Sequence, residues 1–319
     1  MSQIAAYFAS LSLTNLLGRI PGGVAQGIIY GLMALGVYIT FRLLDVADLT
    51  VDGSFTTGGA CTVMLILAGW PAWAALLAAM AAGLLAGLVT GLLHTRLGIP
   101  AILAGILTQF ALYSINLRIM GAAANKAVSA DKYALLLTGR NVTSAILTGL
   151  AIVFVIVAVL YWYFGTEQGS AIRATGDNPA MSRAQGVDID AMKVLGLALS
   201  NAIVAFSGGL MAQYQGYADI NMGRGAIVIG LAAVIIGEVI GEALLKRYLN
   251  FFGRLAFVAV GGVLYYIVVV TVLWLHLPTN DLKLFTAVVV AVFLAVPYLR
   301  AQAKSSFKLA GKRGAKTDA

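Results

Sequence analysis

The sequence predicts an all-α polytopic membrane protein of about nine transmembrane helices, some short or broken, with an inverted-repeat-like pattern. Three observations carry this. Of 319 residues, 61% are hydrophobic and 11% charged, with a mean hydropathy of +0.92; a soluble domain carries about 25% charged residues. Apolar runs long enough to cross a bilayer recur along the chain. Two polar segments around 47–55 and 218–226 echo one another, and each precedes an apolar run too short to cross alone.

Residues 1–21 read as an interfacial amphipathic helix. Ile4, Tyr7, Phe8, Leu11, Leu16 and Leu17 recur at helical spacing, and Gly18 or Pro21 is placed to stop it. The stretch has neither a basic n-region nor a small-residue cleavage site, so it does not read as a signal peptide. Residues 22–299 form the membrane domain. Long runs lie at 22–41, 72–93, 100–119, 143–164, 193–216, 254–276 and 282–299, with shorter ones at 54–69 and 226–242. Gly27 and Gly31, then Gly83, Gly87 and Gly91, then Gly237 and Gly241 repeat every four residues. That spacing lets helix backbones approach closely where lipid supplies no hydrophobic drive.

Residues 300–319 form a basic tail, which holds +5 of the net charge of +8. It reads as cytoplasmic by the positive-inside rule and as able to touch anionic lipid. No other basic or aromatic surface accompanies it, which argues against nucleic acid as a partner. With nine crossings and the tail inside, the N-terminus lies outside. Residues 118–140, with four basic residues and one acid, then fall outside, against the rule. Cys61 is the only cysteine, which excludes an internal disulfide and a thiolate metal site. His94 and His276 lie near span ends and read as interface residues.

The longest polar segment, 165–193, carries Arg173, Arg183 and Lys193 with Glu167, Asp177, Asp188 and Asp190, so it cannot sit in hydrocarbon. It also holds helix punctuation. Asn178 suits an N-cap, Pro179 the first helical position, and Gly186 a left-handed stop after Gln185. A helix that short is unstable in water unless it docks on something.

The words GDNPAMSRAQGVD, followed by KVLGLALSNAIVAFSGGLMA, resemble the branched-chain amino acid permease superfamily of ABC importers. FRLLDVADLTVDGSFTTGGA resembles its tryptophan/tyrosine-type branch. The resemblance covers roughly Gly27 to Gly241. It implies that the 165–193 loop bears a cytoplasmic coupling helix, with Gly176, Asp177, Asn178, Pro179, Arg183, Gln185 and Gly186 meeting a separate cytosolic ATPase. It also implies a second permease copy, an extracytoplasmic binding protein, a bacterial inner-membrane location and an amino-acid-like solute. No Walker A sequence is present, so ATP is expected on the partner chain, and no cofactor is expected on this one.

The other conspicuous residues are Asp45, Asp48, Thr50, Asp52 and Ser54. They form either an ordinary acidic loop or a segment bent into the membrane, whose free backbone groups must line a cavity or be buried. The echo pairs them with Asp219 and Asn221, and both segments are expected to line a solute path. Asn116, Asn201 and Glu238 stand inside apolar runs and join that path set. Asn201 reads equally as glue between helices, and Glu238 as a span-end residue that snorkels or pairs with Lys246 or Arg247. The rival reading is an ion-gradient-driven secondary transporter, with Asp45, Asp48, Asp52 or Glu238 carrying protons or sodium. A catalytic constellation is not evident, so no enzyme activity is expected.

Overall fold

The computed structural model describes residues 13–245 and 250–274, with isolated helical positions at 284, 287–288, 291–292 and 295. The expected 300–319 tail, most of the 282–299 run, and Lys246 and Arg247 lie outside the described residues. So do the first twelve residues of the expected interfacial helix.

Ten α-helices make up most of the described chain: α1 (Leu13–Tyr38), α2 (Thr50–Leu67), α3 (Ala72–Thr95), α4 (Ala101–Ile119), α5 (Val142–Phe164), α6 (Glu167–Asp177), α7 (Pro179–Ala184), α8 (Ile189–Gln215), α9 (Ala226–Leu245) and α10 (Phe251–Trp274). The protein is an all-α polytopic membrane protein. Seven described helices are long and apolar enough to cross a bilayer: α1 (with the π-helical turn Ile39–Leu43 that continues it), α3, α4, α5, α8, α9 and α10. The expected stop at Gly18 or Pro21 does not occur, because Pro21 lies inside α1. Membrane helices tolerate proline because neighbouring groups take up the freed carbonyl.

Helix α8 and the α1 helix form the buried centre. Two bonds illustrate the fit: Ser200 Oγ donates to the Gly36 carbonyl at 2.7 Å, and Ser207 Oγ donates to the Ile29 carbonyl at 2.7 Å. The expected glycine stripe of α3 does what its spacing implies. A Cβ at Gly83, Gly87 or Gly91 would strike α8 at Asn201, Leu197 and Val194. Gly27 and Gly31 likewise bring α1 against α10, at Val263 and Ala259. Close backbone contact of this kind supplies dispersion energy where burial from water supplies little.

One end of the bundle carries a two-stranded antiparallel ribbon, β1 (Asn125–Ala127) with β2 (Tyr217–Asp219), in the register Asn125↔Asp219. In the loop between β1 and α5, Arg140 clasps Asp131 with both guanidinium nitrogens, the Nη2 bond measuring 2.7 Å. The guanidinium holds the Asp131 carboxyl below its usual range. One of the four basic residues of 118–140 is therefore paired with the one acid of that stretch. The opposite end carries α6 and α7.

Candidate functional site

At that opposite end the chain leaves α5 through a tight turn. Thr166 caps α6: its hydroxyl donates to Tyr163 at 2.6 Å and accepts from Gly169 N at 3.3 Å. Ile172 is fully buried, and it anchors an otherwise polar helix. Gly176 packs directly on the backbone of Leu43 and Leu44, so any side chain there would strike the Leu43 carbonyl. The end of α1 and the end of α6 are thus in backbone contact. Asn178 then breaks the helix with an extended backbone, and its Oδ1 accepts from Met181 N at 3.0 Å. Pro179 opens α7, and Ser182 turns inward to donate to the Asn178 carbonyl at 3.0 Å. Gly186 adopts φ +85° and closes on Arg183. Asp188 at once caps α8, accepting from Asp190 N and Ala191 N at 3.1 Å each.

The result is a rigid double turn whose outer surface is open. Asp177, Asn178, Pro179, Met181, Arg183, Gln185 and Gly186 are exposed, Gly176 is half-buried, and Met181 is 58% exposed. A large apolar side chain standing free beside an arginine, on a helix pinned by caps at both ends, is the kind of knob that fits a groove on another protein.

The acidic segment after α1 divides into three environments. Asp45 is exposed and adopts φ +54°. Asp48 is buried at 3% exposure: its Oδ1 accepts from Thr50 N at 2.9 Å, and its Oδ2 accepts from Asn201 Nδ2 at 2.6 Å. Asn201 in turn accepts from Ser54 Oγ at 2.6 Å and donates to Leu197 at 2.9 Å. Thr50 continues the network to Thr90 of α3 at 2.7 Å, and Thr90 donates to Thr108 of α4 at 2.9 Å. Asp48, Thr50, Ser54 and Asn201 are therefore brought together, but inside one chain, where they tie α2, α3, α4 and α8. Deep burial with every bond made is how polar groups are held in a membrane interior.

Asp52 is different. Its two carboxylate oxygens accept from Gly225 N and Ile227 N at 2.9 Å each, at the N-terminus of α9. It also sits in the first turn of α2. One carboxylate thus faces the positive ends of two helices. Helix α2 runs from this point toward the ribbon end of the bundle. Helix α9 runs the other way, to where Glu238 meets Arg42 at 2.9 Å. The two echoing segments are therefore in contact, at the starts of two oppositely directed helices. Asp219 accepts from Asn221 N at 2.8 Å in the turn leading to this junction, and Asn221 is exposed. Beside Asp52 lies a cavity of about 340 Å³, whose wall includes Gln109, Phe110, Tyr113, Asn116 and Arg224. Asn116 is 1% exposed, and both its amide atoms lack a hydrogen-bond partner.

The family of branched-chain amino acid transport system permease components matches residues 20–297, most of the chain. The chain belongs to that permease family. It is 38% identical over 283 residues to a tyrosine transport system permease protein of Clostridioides difficile (strain R20291), covering 89% of this chain and 92% of that one. It is 32% identical to an uncharacterized protein of Rickettsia prowazekii (strain Madrid E), covering 85% and 94%. An autoinducer 2 import system permease protein of Yersinia pestis is 27% identical, covering 65% of this chain and 58% of its own. The protein is thus an ABC transporter permease and a multi-pass protein of the inner membrane.

In this permease Glu238 meets Arg42, 196 residues away; the expected partners Lys246 and Arg247 lie outside the described residues. The pairing arises because the π-helical turn Ile39–Leu43 carries Arg42 alongside α9. Sequence reasoning also missed α6, and it missed Thr90 and Thr108 in the polar network. Thr166 followed by Glu167 was a legible cap signal for α6. The two threonines carried no signal, since a lone hydroxyl in an apolar run ordinarily bonds its own helix. Arg224 had stood in the echo without a role.

Proposed function

We propose that the chain is the transmembrane subunit of a binding-protein-dependent ABC importer that moves an aromatic or other small amino acid inward. A separate cytosolic ATPase docks on α7, and two copies of this chain flank the solute route. Nine crossings complete the topology, counting α2 and the apolar run 282–299 with the seven long helices. The N-terminus then lies outside and the coupling loop inside. Membership in the permease family supports the general reading. The amino-acid solute rests on the likeness to the tyrosine permease, which spans nearly the whole of both chains.

The observation that carries the mechanism is the contact between Gly176 and Leu43. A force applied to Met181 and Arg183 reaches the end of α1 through backbone alone, with no flexible side chain between. From there the π-helical turn leads into the Asp48–Asn201 network and the α2/α9 junction. Movement of the coupling helix is thus passed to the elements that meet in mid-bundle. Such coupling requires an element with two discrete arrangements; the junction at Asp52, where two helix starts share one carboxylate, is the candidate.

The test is uptake by the reconstituted complex in proteoliposomes. The expected result is ATP-dependent accumulation of L-tyrosine or L-tryptophan, with ATPase activity stimulated by loaded binding protein. Uptake that persists without ATP and collapses with an ionophore would instead support the ion-driven rival.

A further inference from the structure

The cavity beside Asp52 has features that the helix junction alone does not explain. It holds a carboxylate, Asp52, and a guanidinium, Arg224, on one wall system. The two do not form an ion pair with each other among the described residues. Asn116 is buried on the same wall, with donor and acceptor both unused. Buried polar groups are paired in the large majority of cases, so an amide with neither atom paired asks for a ligand or a reason. Phe110 and Tyr113 stand on the wall from α4, 71% and 45% exposed. The volume lies near the lower bound for small-molecule sites, about 300–1,000 Å³.

We propose that this cavity is a binding site for the zwitterionic head of a free α-amino acid with an aromatic side chain. The inference rests on the importer reading above and deepens it. Arg224 takes the carboxylate; a guanidinium offers two parallel N–H bonds to such a group. Asp52 takes the ammonium. Its oxygens already accept one backbone N–H each, and a carboxylate has about four acceptor sites in all. Asn116 satisfies both of its atoms on the same head, its NH₂ toward the carboxylate and its oxygen toward the ammonium. Phe110 and Tyr113 offer ring faces to the side chain. An uncharged solute such as a sugar leaves both charges unanswered, and a simple anion leaves Asp52 opposed.

The reading also explains why Asp52 is placed at two helix starts. The site empties when α2 and α9 separate, since the ammonium partner is shared with the α9 backbone.

The experiment is saturation-transfer NMR on the full chain in nanodiscs, with millimolar L-tyrosine as probe. Tyramine, which lacks the carboxylate, and 3-(4-hydroxyphenyl)propionate, which lacks the ammonium, serve as comparisons. The wild type is expected to transfer saturation to the tyrosine ring protons and at least five-fold less to either analogue. Arg224→Gln should lower the tyrosine signal about ten-fold and remove the preference for tyrosine over tyramine. Asn116→Leu should lower the signal at least five-fold while leaving the melting temperature unchanged or raised, because it removes an unpaired buried amide. Wild-type signals in both variants, or no tyrosine signal in the wild type, would overturn the site. ATP-driven amino-acid uptake alongside that failure would leave the importer standing. Tyrosine contact here without ATP-driven uptake would do the reverse.

Discussion

Replacing Asp48 with alanine removes the acceptor for two donors at once, Thr50 N and Asn201 Nδ2. The two lose unequally. Asn201 Nδ2 still reaches Leu197 O at 2.9 Å, whereas Thr50 N has no second acceptor and is fully buried. An unsatisfied buried donor costs about 1–3 kcal/mol, and the lost Asn201 bond adds about 1. The sum is about 3 kcal/mol, which at about 2.1 cal/mol/K of unfolding entropy per residue lowers the melting temperature of this 319-residue chain by roughly 4–5 °C. Asp48→Asn is close in shape but not neutral. Its amide nitrogen would face Asn201 Nδ2, donor against donor. Flipping Asn201 would then set its oxygen against the Leu197 carbonyl. The assay is thermal unfolding in nanodiscs for D48A, N201A and the double variant. Residues sharing a bond should be non-additive, with a coupling of about 1–2 kcal/mol against the ~0.3–0.5 kcal/mol scatter of independent sites. Additive effects, or an unchanged melting temperature in D48A, would refute the network as a structural tie.

Gly176→Val drives a side chain into the Leu43 carbonyl. Overpacking of this kind costs about 1–3 kcal/mol, taken up by displacing α6 from the end of α1. Uptake should fall at least ten-fold while ATP hydrolysis continues in the reconstituted complex; tight coupling in this variant would remove the proposed route. The Arg42–Glu238 pair has side-chain exposures of 52% and 21%, so its stabilisation is small, under about 1 kcal/mol. Glu238→Gln should keep uptake within two-fold of wild type, and abolished uptake would return an ion-carrying role to Glu238.

What the sequence made legible was local. Asn178, Pro179 and Gly186 act within a few turns of chain, so their order alone specified a capped knob, and α7 starts at Pro179 as expected and ends at Ala184, one residue short of Gln185. The glycine stripes were legible for the same reason, since a four-residue repeat marks one helix face whatever packs on it. The echo between 47–55 and 218–226 gave a partial signal. It named the two segments, but not that Asp52 would bond the start of α9. Asp48, Thr50, Ser54 and Asn201 were legible as unusual and illegible as a group. Asp48 finds Asn201 across 153 positions, and nothing local fixes which faces of α2 and α8 meet. Helix α6 was missed because its hydrophobic content is a single buried isoleucine, Ile172, too little for a periodic pattern.

The central claim is that α7 touches the ATPase. Met181, exposed at its tip, is the position to probe, in a chain whose only cysteine, Cys61, has first been replaced. A Met181→Cys variant in the assembled complex should form a disulfide crosslink to a cysteine in the ATPase groove, and ATP should change its yield. Labelling of that cysteine by an impermeant thiol reagent from outside the cell, with no crosslink to the ATPase, would contradict the account.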